Sequence, residues 1–593
     1  MSAEKSREFG NAYDLRDRST RRRIKAGERA TFILAVRSWA KCSRPYEYAF
    51  SRTRWITAED VENLRTRHLA WWKRFWSMSE ISLDDPVIEQ RYYLSKYMLA
   101  SLSRDPDYPP NILGISTFDR PAWNGNYKIN YNHQSPYLNL MVSGHFEQSD
   151  PHDAPYLKLM EISDEMCKRL LHHEGLYYPL GLGPDGVVSE ALLLHMKSPA
   201  LHGALNMIYR YEISQDTRYA WKVYPYLRGV AEFWEKDLVL RDGVYHVVGD
   251  GMHERTDGNI RENGVPEDPV NTLGYLKTFF TRLPKISEAL ELDEEKRTKW
   301  QEIAENLAPY PKGTIREIQD NPTLWKEVDV KLEDLLPQEM LDKEIYYDEG
   351  VGGKWSFHFP GNIMHIYPGN AVGLGSDQKE LEVARNTVHI HSLVENKLGE
   401  LEYKKALERA ADEKKATVVK HAHFYKAGAF NASNLSCLFF TAAVRTGYDP
   451  DIIWNEMRDM IIHRGIPNGF LKENPHGIEQ LNTIPDAIQE MMLQSYEDVI
   501  RIFPVWPRKK HPNASFRNFR AWGGFEVSAS LKDGEIEKVT VLSHKGNTCR
   551  VENPWSEKSV IVKYGYSGRE EVCFGEYLSI ELQKEEQVLL FVL

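Results

Sequence analysis

HGALNMIYRYEISQD (202–216) and YAWKVYPYLRGVAEFWEKDLV (219–239), separated by Thr217 and Arg218, decide the fold. In both, apolar residues return every three or four positions, the spacing that puts them on one side of an α-helix. Two such stripes in tandem predict a helical hairpin. The pattern recurs outward in both directions, from RYYLSKYMLASLSR (91–104) to ASNLSCLFFTAAVRTG (432–447) and IPDAIQEMMLQSYEDVIRIF (484–503). Roughly 450 residues of sequential amphipathic helices with long polar loops must close into layers around one core, and a helical barrel or toroid fits that length. A solenoid would show a sequence repeat of roughly 33–47 residues, and none is visible.

The ends differ from this middle. AWGGFEVSASLKD (521–533), EIEKVTVLSHKG (535–546) and SVIVKYGYSG (559–568) alternate apolar and polar residues between turn formers, which predicts a small antiparallel β-sandwich. Near the start, ATFILAV (30–36) predicts one buried strand, which needs sheet partners. The expected division is a remnant of an N-terminal β domain with its linker over 1–57, a helical domain over 58–508 and a C-terminal β-sandwich over 509–593.

Composition narrows the function. The chain has 593 residues, with 75 Lys and Arg against 86 Asp and Glu, a formal net charge of −11. A mildly acidic chain lacks the clustered positive charge of a non-specific nucleic-acid binder. With 42% hydrophobic and 27% charged residues it reads as globular. Cys42, Cys167, Cys437, Cys549 and Cys573 are too few and too scattered for a disulfide framework or a cysteine zinc site. No apolar run reaches the roughly 18 residues that span a bilayer. The polar start, MSAEKSREFG, has no signal-peptide core, so the chain as written is expected in the cytoplasm, or secreted or periplasmic if a leader is missing.

Four clusters could carry chemistry. PAWNGNYKINYNHQSPY (121–137) interleaves Asn124, Asn126, Asn130, Asn132, His133 and Gln134 with Trp123, Tyr127, Tyr131 and Tyr137. Amides both donate and accept, and aromatic rings present flat faces, so the loop suits sugar hydroxyls; Asn and Gly equally form plain surface turns. In an extended segment, Asn130 and Asn132 would point the same way. DGMHERTDGNIRENGVPED (250–268) carries Asp250, Glu254, Asp257, Glu262, Glu267 and Asp268. Glu254 follows His253 just after an apolar stretch, where a carboxyl can hold its proton and act as a general acid. NPHGIE (474–479) puts His476 and Glu479 ahead of an apolar helix, and favourable electrostatics at a helix start is the plainer reason for an acid there. His389, His391 and Glu395 in VHIHSLVEN lack an obvious third metal ligand and read as structural. No phosphate-binding loop, G-x-S-x-G elbow or dinucleotide fingerprint is present.

These clusters, in this order, resemble glycoside hydrolase family 95, the inverting α-L-fucosidases, and their (α/α)6-barrel relatives. The likeness spans about residues 55–593 and rests on SLSRDPDYPPNILG (101–114), WNGNYKINYNHQSPY (123–137), PGNAVGLGSDQKELEVARNT (368–387), EMMLQSYEDVIRIFPVWP (490–507) and FRNFRAWGGFEVSASLKDG (516–534). The resemblance implies hydrolysis with inversion. Its glutamic acid, which protonates the leaving oxygen, falls at Glu254. Its base, an asparagine amide polarised by a carboxylate, falls on Asn130 and Asn132. The polarising carboxylate, eleven residues before Glu490, falls at Glu479, where the family usually has Asp. That departure points to L-galactose or a distinct subfamily as alternatives to L-fucose. Trp123, His133, Tyr137, His253 and His476 would shape the sugar pocket. Inverting enzymes leave room for water between sugar and base, with carboxyl groups about 6.5–9.5 Å apart.

The sequence thus predicts a mainly α protein, an (α/α)6 barrel with a C-terminal antiparallel β-sandwich. Its expected substrate is a glycan or oligosaccharide with a terminal α-linked L-sugar, L-fucose first. No metal, organic cofactor, nucleic acid or membrane is implied. The alternatives are a barrel hydrolase for another glycan, a carbohydrate-binding protein without catalysis and a truncated, inactive relative.

Overall fold

A computed structural model describes residues 23–37, 39, 41–114, 122–188, 192, 195–252, 265–318, 332–350, 361–413, 436–471, 477–556 and 558–592; within 395–413 only Lys397 has a described side chain. The chain divides into two compact units, residues 1–71 and 72–593. The first holds helix α1 (Pro45–Arg54) and most of α2 (Ala58–Ser77). Ala30–Val36 is not the buried strand that its apolar run predicts. It has no strand pairing, and Phe32, Leu34 and Val36 are 72%, 87% and 83% exposed. An apolar run of this length forms a strand only when a sheet edge receives it.

The second unit is built of helical hairpins. The 202–239 pair forms α7 (Pro199–Ser214) and α8 (Thr217–Asp237). Gln215 ends α7 in the left-handed conformation (φ 49°), and the Asp216 carboxylate caps α8 by accepting from the Arg218 N–H at 3.0 Å. The two helices differ in burial. Of α7, every residue from Pro199 to Ile213 except Arg210 is buried, whereas α8 buries one stripe, from Tyr219 through Val223, Leu227 and Val230 to Trp234. A helix apolar all round belongs inside and an amphipathic one outside.

The same contrast orders the rest. Among the described residues, the inner positions are α4 (Ser135–Val142), α7, α9 (Val270–Leu290), the buried turn beginning at Gly361–Ile363, α12 (Ser436–Arg445) and α14 (Thr483–Met492). Around them lie α5 (Phe146–Lys158) with α6 (Met160–Leu171), α8, α10 (Glu294–Glu305), α11 (Gln378–Glu413), α13 (Pro450–Arg464) and α3 (Pro86–Leu102). Contacts run from α4 to α7 and α9, through the 361 turn and α11 to α12 and α14, and back to α4. The ring is closed, and the fold is an (α/α)6 barrel. Asp85 locks one outer seam. Its carboxylate caps α3 through the Val87 N–H (3.0 Å) and accepts from Trp454 Nε1 on α13 (3.1 Å).

The inner wall is tight. A Cβ added at Gly274 on α9 would lie 2.7 Å from the His365 Cα. Gly274→Ala is therefore expected to destabilise the protein by about 1–3 kcal/mol, read as a lower urea midpoint with unchanged slope.

The C-terminal strands are β2 (Ala514–Ala521), β3 (Phe525–Lys532), β4 (Glu535–Ser543), β5 (Thr548–Glu552), β6 (Val560–Tyr564), β7 (Glu570–Cys573), β8 (Tyr577–Glu581) and β9 (Glu586–Phe591). Six of them join β1 (Glu80–Leu83) in a seven-stranded antiparallel sheet ordered β1-β2-β3-β4-β9-β6-β7, and β5 pairs with β8. Period-two burial along β3 turns Phe525, Val527, Ala529 and Leu531 inward. Strand β1 comes from a four-residue stretch ahead of the barrel, too short for a periodic signal. The sandwich is joined to the barrel by the Gly523 N–H on the Glu212 carbonyl (2.8 Å) and by Arg282, which stacks on Trp522 and binds Asp498. Among the described residues no helix is long and apolar enough to cross a membrane.

Candidate active site

The amide-rich loop is drawn into the barrel by short-range hydrogen bonds. Tyr127–Lys128 pairs with Gly181–Leu182, and the Ile129 N–H donates to the Leu180 carbonyl at 3.0 Å. The chain then coils: the His133 N–H bonds the Lys128 carbonyl (2.8 Å), and the Ser135 N–H bonds that of Tyr131 (2.9 Å), which starts α4. Residues 129–134 are turns, so the extended alternation expected for Asn130 and Asn132 does not apply. Both residues are buried, but they serve different neighbours. The main-chain carbonyl of Asn130 receives His202 Nδ1–H at 3.1 Å from the start of α7, whereas the Asn132 side chain hydrogen-bonds the Glu479 carboxyl.

Glu479 lies on the helical turn Ile478–Leu481, just ahead of α14. Two contacts bring that turn to the loop. The Ile478 N–H donates to the Ile112 carbonyl (3.1 Å), and Asn482 Oδ1 accepts from Asn139 Nδ2 on α4 (2.6 Å). Glu479 is 1% exposed. Burial pushes its carboxyl up to about 7, against the opposing pull of hydrogen bonds that include Asn132. A buried carboxyl that exchanges its proton near neutrality can relay one.

Asn132 opens on a small cavity lined also by Pro110, Ile112, Tyr127, Lys128, His133, Pro136, Tyr137 and Ile478. Glu479 stands behind Asn132, outside that lining. His133 donates from Nε2 to the His152 carbonyl (3.0 Å), and burial lowers its imidazole to about 3, so it is neutral with Nδ1 as the acceptor nitrogen. Behind it, His152 Nδ1 bonds Asp153 at 3.0 Å. The structure thus brings Asn132, His133, Tyr137 and Glu479 together, with Asn130 adjoining. Trp123 is not part of the lining. It sits 53% exposed on a turn in which Trp123 and Asn124 both have positive φ, 49° and 58°. Sequence reasoning missed Lys128, Ile112 and Pro110 as lining residues. Lys128 was within the quoted loop, but a single Lys there carries no signal.

Glu254, His253 and His476 lie outside the described residues. The described carboxyls of the 250–268 cluster are engaged elsewhere. Asp250, fully buried and raised to about 6 by burial, accepts from the Lys197 N–H and the Thr272 hydroxyl, both at 2.6 Å. Glu267 pairs with Arg241, and Asp268 accepts from His246 Nδ1 at 2.8 Å. Asp250 is thereby fixed to Lys197 and Thr272. His389 and His391 bond separate partners, Tyr448 and Asn362, each at 2.7 Å.

Residues 40–331 match the glycosyl hydrolase family 95 catalytic domain, and residues 494–588 match the glycoside hydrolase family 95 C-terminal domain. No curated protein matches the chain. Among solved structures it is similar to a protein assigned as a kojibiose phosphorylase from human microbiome, at 12% identity and TM-score 0.47, over 92% of this chain and 72% of that one. It is also similar to the GH78 family rhamnosidase of Bacillus sp. GL1 (9%, TM-score 0.38, 76% of this chain and 40% of that one). The Streptomyces avermitilis α-L-rhamnosidase complexed with L-rhamnose is a third (11%, TM-score 0.39, 86% and 42%). The chain spans less than half the length of these two rhamnosidases.

Proposed function

The chain belongs to glycoside hydrolase family 95, and from that premise we propose that this glycoside hydrolase removes a terminal α-linked L-sugar, L-fucose first, from oligosaccharides with inversion. The observation that supports the reading is the buried hydrogen bond between Asn132, which faces the cavity, and Glu479, which stands behind it with a proton affinity near 7.

In this reading Glu254 gives its proton to the glycosidic oxygen as the bond from that oxygen to the anomeric carbon breaks. Water bound at Asn132 Oδ1 attacks the anomeric carbon from the opposite face. Its proton passes to Asn132 Oδ1 while an amide proton of Asn132 moves to Glu479, so the carboxylate receives the charge that the acid gave up. A neutral amide is a feeble base, and burial of Glu479 supplies the proton affinity that it lacks. Asn130 holds the loop and the water from the side. His133 Nδ1 accepts from a sugar hydroxyl, Tyr137 packs on the ring, and Trp123, His253 and His476 complete the mouth.

The test is sugar release from a panel of fucosylated and L-galactosylated oligosaccharides, with the first anomer followed by proton NMR. A β-L-sugar as initial product from an α-linked substrate is expected. An α-L product would overturn inversion. No release by the folded protein would point to another glycan or to a sugar-binding relative without catalysis.

A further inference from the structure

Lys96 belongs to α3, a helix of the outer layer, yet it is only 2% exposed. Among the described residues it makes no ion pair. Its ammonium donates instead to neutral oxygens at the end of α4: Asn139 Oδ1 at 2.9 Å, the Asn139 carbonyl at 3.3 Å and Ser143 Oγ at 2.7 Å. The Tyr92 ring lies 5.1 Å away on another side. Burial pulls the ammonium well below the ordinary lysine range. Asp486, the carboxyl whose charge acts against this, is itself held protonated to about 7 by burial. A methionine would fill the same space without the cost of burying an amine. What a methionine lacks is the set of donors, so the task of Lys96 lies in its hydrogen bonds.

Those bonds lead from the outer layer to the candidate base. Asn139 Oδ1 accepts from Lys96, and on its other side Asn139 Nδ2 donates to the Pro136 carbonyl at 3.1 Å and to Asn482 Oδ1 at 2.6 Å. The Asn139 backbone N–H donates to the same Asn482 oxygen at 3.3 Å. Asn482 Nδ2 donates to the Cys437 carbonyl of α12 at 3.5 Å, and the Asn482 backbone N–H donates to the Glu479 carbonyl at 3.0 Å. An ammonium only donates and a carbonyl only accepts, so each amide in this relay can face one way. Asn132 immediately precedes α4, and Asn482 ties the Glu479 turn to α4, so both partners of the Asn132–Glu479 bond are referred to one helix. Without Lys96, Asn139 Oδ1 would be a buried acceptor that has lost its donor, and the amide would gain by turning away from Asn482. A displacement of about 1 Å in a catalytic constellation can cost on the order of 10²-fold in rate.

We propose that Lys96 is a positioning residue: through Asn139 and Asn482 it fixes the turn that carries Glu479, and with it the reach of Glu479 to Asn132. The inference rests on the reading of Asn132 and Glu479 as the base.

Lys96→Met removes the donors at nearly unchanged length, and Lys96→Gln stays polar but ends about one bond short of Asn139. Both are assayed on an oligosaccharide that wild type hydrolyses. The expected loss in kcat is at least about tenfold for the Met variant and about threefold for the Gln variant, with KM within about twofold of wild type in both. A kcat within about twofold of wild type in either folded variant, or a loss carried by KM, would overturn the proposal. A second measurement does not depend on catalysis. In urea unfolding, Lys96→Met and Asn482→Ala are expected to be non-additive, the double variant losing less than the two single losses together, because both break one relay. Additive losses would also overturn the proposal. If wild type releases no sugar while the losses stay non-additive, the catalytic reading has failed and the positioning role with it, whereas the relay itself stands.

Discussion

Glu479→Gln is expected to lower hydrolysis by about 10²–10⁴-fold and, in the same variant, to make the folded protein more stable at pH 8. Both effects come from one fact. The Glu479 carboxyl sits in a place that resists its charge, raised from 4.5 to about 7 by burial. Unfolded, it releases its proton near 4.5; folded, it keeps it to about 7. Between those values the folded state binds more protons, so wild type loses stability as pH rises through that window and no further above it. A shift of this size corresponds to about 3 kcal/mol. Glutamine carries no charge and escapes that loss. It also cannot take up a proton, so Asn132 loses the partner that makes it a base. Asp250 and Asp486 are raised by burial in the same direction, so the slope of wild type alone does not isolate Glu479; the difference between wild type and variant does. Urea midpoints at pH 5 and pH 8, beside kcat/KM, read both effects. The kcat/KM of wild type is expected to rise with an acid limb near pH 7. A variant that is less active but no more stable at pH 8 would mean that Glu479 is ionised and paired in the folded state.

How much of this was legible in the sequence depended on the range of the forces involved. Helix stripes such as Tyr219–Trp234 are local and periodic, and they appeared where the pattern put them. The β-sandwich strands alternate, and Phe525–Leu531 alternates in the structure too. ATFILAV looked like a strand because its composition is right, but pairing is decided by a distant sheet edge that the run itself does not encode. Strand β1 is the converse: Glu80–Leu83 has little pattern of its own and is a strand because β2 receives it. At the site, Asn132 and Glu479 lie 347 positions apart in numbering. Nothing local joins them. Only the family resemblance set them side by side, and the hydrogen bond between them is a product of the closed ring. The reverse held for Asn130 and Asn132, where strand logic was applied to a segment that coils.

Glu254→Gln is expected to separate the acid from the rest of the machinery by its dependence on the leaving group. Protonation matters most when the departing oxygen is a poor leaving group, as in an oligosaccharide, and least when the departing group is stable as an anion, as in an aryl glycoside of an acidic phenol or a glycosyl fluoride. The variant should lose about 10²–10⁴-fold on the oligosaccharide and on the order of tenfold or less on the activated substrate. Glu479→Gln should lose heavily on both, because both need an activated water. Sugar binding should survive in Glu254→Gln, which also distinguishes an enzyme from a binding protein. Equal losses on both substrates would remove Glu254 from the role of acid. The search would then be short. Asp250 is held by the Lys197 N–H and Thr272, Glu267 by Arg241, and Asp268 by His246. A carboxyl that must carry a transferable proton to a glycosidic oxygen cannot also be the fixed acceptor that anchors its own loop. Of the carboxyls in 250–268 that leaves Asp257 and Glu262, and the same leaving-group signature in Asp257→Asn or Glu262→Gln would identify which of them is the acid.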